Sequence, residues 1–234
     1  MTGPFVTRAL GRGLAAGFGA LQALRHPRPI HSRGIILEGD IRWVAGSARS
    51  GVSWIDAQPA GRSAPVIGRL SRSLGLPAPV PDILGLALRV ETGEGTADLE
   101  FASTGSGLPL RFALLPHTRP SAATFGILLP YRGTSGPVLL RAKPLGTPLP
   151  PGGAALDDAL TRADWRLQLS FASTAGPWRP FAVITLRRAR DQTDALRFDA
   201  GTRLLPGAGM YRWVRALRQP SYDRVQRGRR SLSR

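Results

Sequence analysis

Apolar runs in this chain are short, and glycine or proline separates almost every one from the next. Amphipathic helices need sustained 3.6-residue periodicity, whereas brief runs of Val, Ile, Leu and Phe bounded by turn formers read as strands. By that rule strands are expected at residues 36–44, 52–57, 66–71, 83–90, 98–102, 108–115, 137–142, 165–171 and 181–186. The last has the strongest signal because Val183, Ile184 and Thr185 are β-branched. Residues 76–81 and 148–153 are proline-rich connectors, the second within a stretch at 116–153 rich in proline and glycine. Helices are expected at 7–24, at 155–162 with Asp157 and Asp158 at its dipole-positive end, and again from about Met210, with Pro220 breaking or restarting the last. No internal repeat interrupts this order. The expected class is α+β: an antiparallel β-barrel core with flanking N- and C-terminal helices.

Composition narrows what such a barrel could do. At 234 residues the chain fills one sizeable domain, divided here into an N-terminal helical segment at 1–27, a single domain at 28–230 and a tail at 231–234. The absence of cysteine excludes disulfides and thiolate chemistry and fits a reducing cytoplasm, the expected location. Arg12 interrupts the apolar N-terminal stretch, which makes a poor signal peptide, and no run is long enough for a membrane span. The net charge of +17 rests almost wholly on arginine, Lys143 being the only lysine among 32 basic residues. Those arginines are spread along the chain without an interleaved aromatic platform, so nucleic acid is expected to bind only through non-specific charge. His26, His31 and His117 lack paired carboxylates, which argues against a histidine–carboxylate metal site.

The basic tail has a more particular pattern. Tyr222 stands four residues after Arg218 and seven before Arg229, so on a helix the phenol lies on one stripe between two guanidiniums. Fixed positive charge favours the ionised phenol, and a phenolate is a ligand for an oxidised metal such as ferric haem iron. The same run also reads as a basic, solvated terminal helix.

Six segments, in order, resemble the haem-binding core of the catalase family. Arg28-Pro29-Ile30-His31-Ser32-Arg33-Gly34 is similar to the segment around the family's distal histidine. Gly68-Arg69-Leu70-Ser71 resembles its Val-Arg-Phe-Ser strand, and residues 81–89 its Arg-Asp-x-x-Gly-Phe-Ala-x-Lys segment. Asp98-Leu99 opens the strand that carries a distal asparagine in the family. Residues 196–207 resemble its Phe-x-Pro-Gly…Pro-Gly-Ile region, and the tail its proximal Arg-x-x-x-Tyr…Arg motif.

The resemblance implies haem b as cofactor and a peroxide-consuming enzyme acting on hydrogen peroxide or an organic hydroperoxide. It makes Tyr222 the iron ligand and Arg218 the group that lowers its pKa. It assigns Arg28, Arg69 and Arg229 to the propionates. His31 becomes the acid–base group over the distal face, with Ser71 fixing its ring orientation. The family's distal asparagine is missing, and counting from Asp98-Leu99 assigns its place to Ser103, with Ala102 and Thr104 as neighbours in register. That loss favours slow peroxidase chemistry over rapid disproportionation. Pro220 falls inside the Arg218–Tyr222 turn, where it is tolerated if it starts a new helix. The length implies a homo-oligomer smaller than the family's tetramer, with a more exposed haem. Two alternatives are a catalytically weak haem-binding or haem-sensing protein and a basic polyanion-binding protein on the same fold without haem.

Overall fold

The computed structural model describes residues 34–46, 48–146, 148–190 and 196–215. The expected N-terminal helix and most of the C-terminal one lie outside these; a helical turn at 212–215, closed by Arg215 N–H donating to Tyr211 O at 3.0 Å, marks where the latter begins.

Ten strands carry the architecture: β1 (Ile35–Trp43), β2 (Ser63–Arg72), β3 (Leu84–Thr92), β4 (Gly95–Thr104), β5 (Thr124–Gly126), β6 (Tyr131–Gly133), β7 (Gly136–Leu145), β8 (Trp165–Ala172), β9 (Arg179–Arg188) and β10 (Gly209–Met210). All pairings among them are antiparallel. β7 pairs with both β5 and β8, which closes β1–β2–β3–β4–β5–β7–β8–β9 into a barrel, and β6 with β10 extends one end of β7. The fold class is the one expected.

Alternation sets the two faces of the wall. Leu37, Ile41 and Trp43 of β1, Val66 and Leu70 of β2, Leu86 and Leu88 of β3, and Leu99 and Phe101 of β4 point into one continuous core. Burying each such side chain contributes roughly 1.5–3 kcal/mol. Gly39 shares their parity but has no side chain; a Cβ there would collide with the Thr185 carbonyl, so glycine lets β1 press against β9.

Two sequence expectations fail for local reasons. Residues 52–57 form the helix α1 (Ser53–Asp56), not a strand. The Asp56 carboxylate accepts the Ser50 and Gly51 N–H groups, each at 2.8 Å, which curls the chain back on itself. Trp54 is thereby turned edge-on to Trp43 at 5.1 Å, plugging one end of the barrel. Residues 108–115 form a 3₁₀ turn (Leu110–Phe112) and a loop. Pro109 has no N–H for a ladder, and Leu108 and Leu110 stay about half exposed.

Elsewhere the expectation is met or was incomplete. The helix α2 (Gly153–Arg162) covers the expected 155–162 and buries Leu156 and Leu160. β5 and β6 were not anticipated within the proline- and glycine-rich 116–153, because three residues are too few to display a period. Among the described residues no helix is long and apolar enough to cross a membrane.

Candidate functional site

The outer face of β1–β4 is where the sequence segments converge. Register places Ile36, Arg69, Ala87 and Glu100 in one row across the four strands. The next row across β2–β4 is Ser71, Gly85 and Ala102. Arg69 is 2% exposed, Ser71 3% and Ala87 0%, although all three point away from the barrel core. Other parts of the chain therefore cover this face, and beside Arg69 its side chains are small. Ser71 Oγ donates to the Gly85 carbonyl at 3.4 Å.

A return segment lies along this face, held by one carboxylate. Asp98, fully buried, accepts both arms of the Arg89 guanidinium at 2.7 and 2.8 Å and the Asp199 N–H at 2.7 Å. Its own N–H donates to Arg203 O at 2.9 Å. Arg89 also donates to the Arg197 carbonyl. Phe198 is thereby brought to the Arg69 and Arg89 guanidiniums, whose central carbons lie 5.8 and 5.4 Å from its ring centre. Four of the six segments named from the sequence thus meet here: Gly68–Ser71, 81–89, Asp98-Leu99 and the start of 196–207. A fifth reaches it through Gly34, where a Cβ would meet Arg69 Cγ at 3.0 Å.

Asp82 of the second segment has a local task. Its buried carboxylate accepts the Leu74 and Leu76 N–H groups, each at 3.0 Å, shaping the loop before β3, with Arg72 Nε 3.7 Å away.

Ser103 is not brought to the face that holds Arg69 and Ser71. It follows Ala97, Leu99 and Phe101 in parity and points inward. Its hydroxyl donates to Leu115 O at 2.7 Å and accepts the Leu84 N–H at 3.0 Å, which spends its one donor on joining β3 and β4 to the loop that follows β4. The outer-face neighbour of Ser71 and Gly85 is Ala102, a methyl group. Parity could have found this: Asp98 faces outward to Arg89, so 100 and 102 do too. His31, Arg28, Arg218, Tyr222 and Arg229 lie outside the described residues.

Sequence reading also missed a second cationic group. Arg111 and Arg141 stack on Trp178, with guanidinium carbons 4.9 and 4.7 Å from the ring centre. Burial pushes both below the ordinary arginine range, and the charge of Arg111 depresses Arg141 further. Only the three-dimensional arrangement brings residues so far apart in sequence together. His117, which had no support as a functional residue, is likewise pushed down by burial.

No protein-family model and no curated protein sequence matches this chain. Among solved structures it is similar to a bacterial catalase at a TM-score of 0.58 and 15% identity, over 93% of this chain and 60% of the other. It is similar also to a fungal catalase at a TM-score of 0.59 and 12% identity, over 87% of this chain and 59% of that one. The chain spans about three-fifths of the length of each. At these identities the likeness is one of fold.

Proposed function

We propose that the chain binds haem b on the outer face of β1–β4 and consumes peroxide there slowly. The observation that supports this reading best is the run of small residues Ser71, Gly85, Ala87 and Ala102 across β2–β4, with the Arg69 guanidinium buried beside it. Short side chains leave a flat surface for a planar macrocycle, and a buried guanidinium suits a carboxylate arm. The catalase-like fold supports the same choice of cofactor.

Haem, when bound, supplies the iron at which a peroxide O–O bond is broken. Tyr222 is the proposed iron ligand, with Arg218 holding its phenol ionised. Arg28, Arg69 and Arg229 neutralise the carboxylate arms. His31 moves a proton between the two peroxide oxygens, as a group titrating near neutrality can, and Ser71 orients its ring. His31 stands only three positions before Gly34, a reach of about 10 Å. Ser103 has no part in this reading. With Ala102 in the outward position beside Ser71 and Gly85, that position offers no donor to a bound peroxide, and turnover of hydrogen peroxide or an organic hydroperoxide is accordingly slow. The same methyl group supports a second reading, a haem-binding or haem-sensing protein without turnover.

Protein purified after expression with added haem should show a Soret band that shifts or disappears in Tyr222→Phe. An unchanged band in that variant, or none in wild type, overturns the haem assignment. Oxygen release or loss of an organic hydroperoxide, abolished in His31→Ala, separates the enzyme from the sensor.

A further inference from the structure

The second cationic group carries an electrostatic imbalance that the fold does not explain. Arg111 stands on the 3₁₀ turn after β4 and Arg141 on the outer face of β7, and Trp178 lies against both. Arg111 Nη1 donates to the carbonyls of Ser173, Thr174 and Gly176 at 3.4, 3.5 and 3.0 Å. Trp178 Nε1–H donates to Ser106 O at 2.7 Å, which fixes the indole. Neither guanidinium forms an ion pair with a carboxylate of the described residues.

Three buried donors of this region lack acceptors among the described residues. The Nε atoms of Arg111 and Arg141 are buried and make no hydrogen bond, and the same is true of the Ser170 hydroxyl. Ser170 is Arg141's register partner on β8, fully buried, so the two side chains stand side by side on one face. Stacking on indole offsets roughly 0.5–2 kcal/mol per cation but supplies no acceptor for these N–H and O–H groups. Two desolvated like charges are costly without a counter-charge. Both guanidiniums are depressed by burial, consistent with that deficit.

We propose that Arg111, Arg141 and Ser170 form a binding site for a small phosphate-class oxyanion against Trp178. A guanidinium fork and a hydroxyl donate to such an oxyanion and supply nothing to a neutral or cationic ligand. The site uses none of the residues assigned to haem, so it stands or falls independently of that assignment.

The test is thermal unfolding of the full chain in increasing inorganic phosphate, with ionic strength held constant by chloride. The midpoint should rise with phosphate and not with chloride, because a ligand bound only to the folded state stabilises it by mass action. Arg141→Gln should abolish the rise, while Arg166→Gln, which alters an exposed arginine on β8, should keep it. Ser170→Ala removes a hydroxyl that has no partner, so it should fold as wild type does yet bind phosphate about tenfold more weakly. If Arg141→Gln does not fold, phosphorus NMR line broadening by wild type, lost in Ser170→Ala, decides the matter. A phosphate response equal in wild type and Ser170→Ala, or no response beyond chloride, overturns the proposal. A response to acetate and none to phosphate also overturns it, in favour of a carboxylate.

Discussion

Two arginine pairs on the outside of one barrel are built alike and balanced differently. Each places an aromatic ring near two guanidiniums: Phe198 with Arg69 and Arg89 on one face, Trp178 with Arg111 and Arg141 on another. The first pair stands beside Asp98, which takes Arg89 in a two-pronged bond and anchors the return segment. The second has carbonyls for Arg111 and no carboxylate among the described residues. Aromatic stacking is thus common to both, and the difference lies in the counter-charge. Where the counter-charge is built in, the cations serve the fold. Where it is missing, a soluble anion has something to add.

The largest effect expected from that contrast is at Asp98. Asp98→Ala leaves Arg89 without its partner on a largely buried face and frees the Asp199 N–H, at a cost of roughly 3–5 kcal/mol. Urea unfolding would measure it, and a loss below about 1 kcal/mol, the range of exposed pairs, would erase the distinction between the two faces. Phosphate should raise the stability of this variant by the same increment as that of wild type, because Asp98 belongs to the other cluster and leaves the Trp178 site intact.

A smaller effect separates Ser103 from its neighbour Ala102, which points to the opposite face of β4. Ser103→Ala strands the Leu84 N–H and the Leu115 carbonyl, at about 1–3 kcal/mol in unfolding, with no change in any haem spectrum. Ala102→Asn is its mirror: it adds a donor to the outer face and should raise peroxide turnover about tenfold or more at little cost in stability. An activity loss specific to Ser103→Ala after correction for folded protein would restore Ser103 to the site.

Most of the barrel was legible because its strands are long enough to alternate. β2, β3, β8 and β9 display inward residues at every second position, and Gly–Pro punctuation marks their ends. β5 was not, since three residues in a loop-like stretch become a strand only through pairing with β4 and β7. α1 was misread because Val52, Trp54 and Asp56 fit alternation as well as they fit a helical turn, and the deciding bonds to Asp56 are a matter of geometry. At the candidate site, segment order was readable and register was not. Ser103 and Ala102 differ by a single position, which in a strand reverses the face. The Trp178 cluster lay beyond sequence reading altogether, since its three members come from separate connections and strands.

The mildest test follows the missing counter-charge one step further along the chain. His117 lies in the same connection as Arg111, and burial lowers its pKa below the ordinary 6.5. Its Nε2 is buried and makes no hydrogen bond, while its backbone N–H and C=O pair with Asp82 at 2.9 and 3.1 Å. The Asp82 carboxylate is already taken by Leu74, Leu76 and Arg72, so it is not spare for a charged imidazole. A depressed pKa means that the unfolded chain binds the proton more readily than the folded one, and stability therefore falls as pH drops through about 6.5. The loss continues until the folded-state pKa is passed. Urea unfolding of wild type at pH 7 and pH 5 should show this decline, and His117→Gln, which does not titrate, should remove His117's part of it. An equal decline in the variant would show that His117 does not set the acid sensitivity, and would detach it from the unbalanced region.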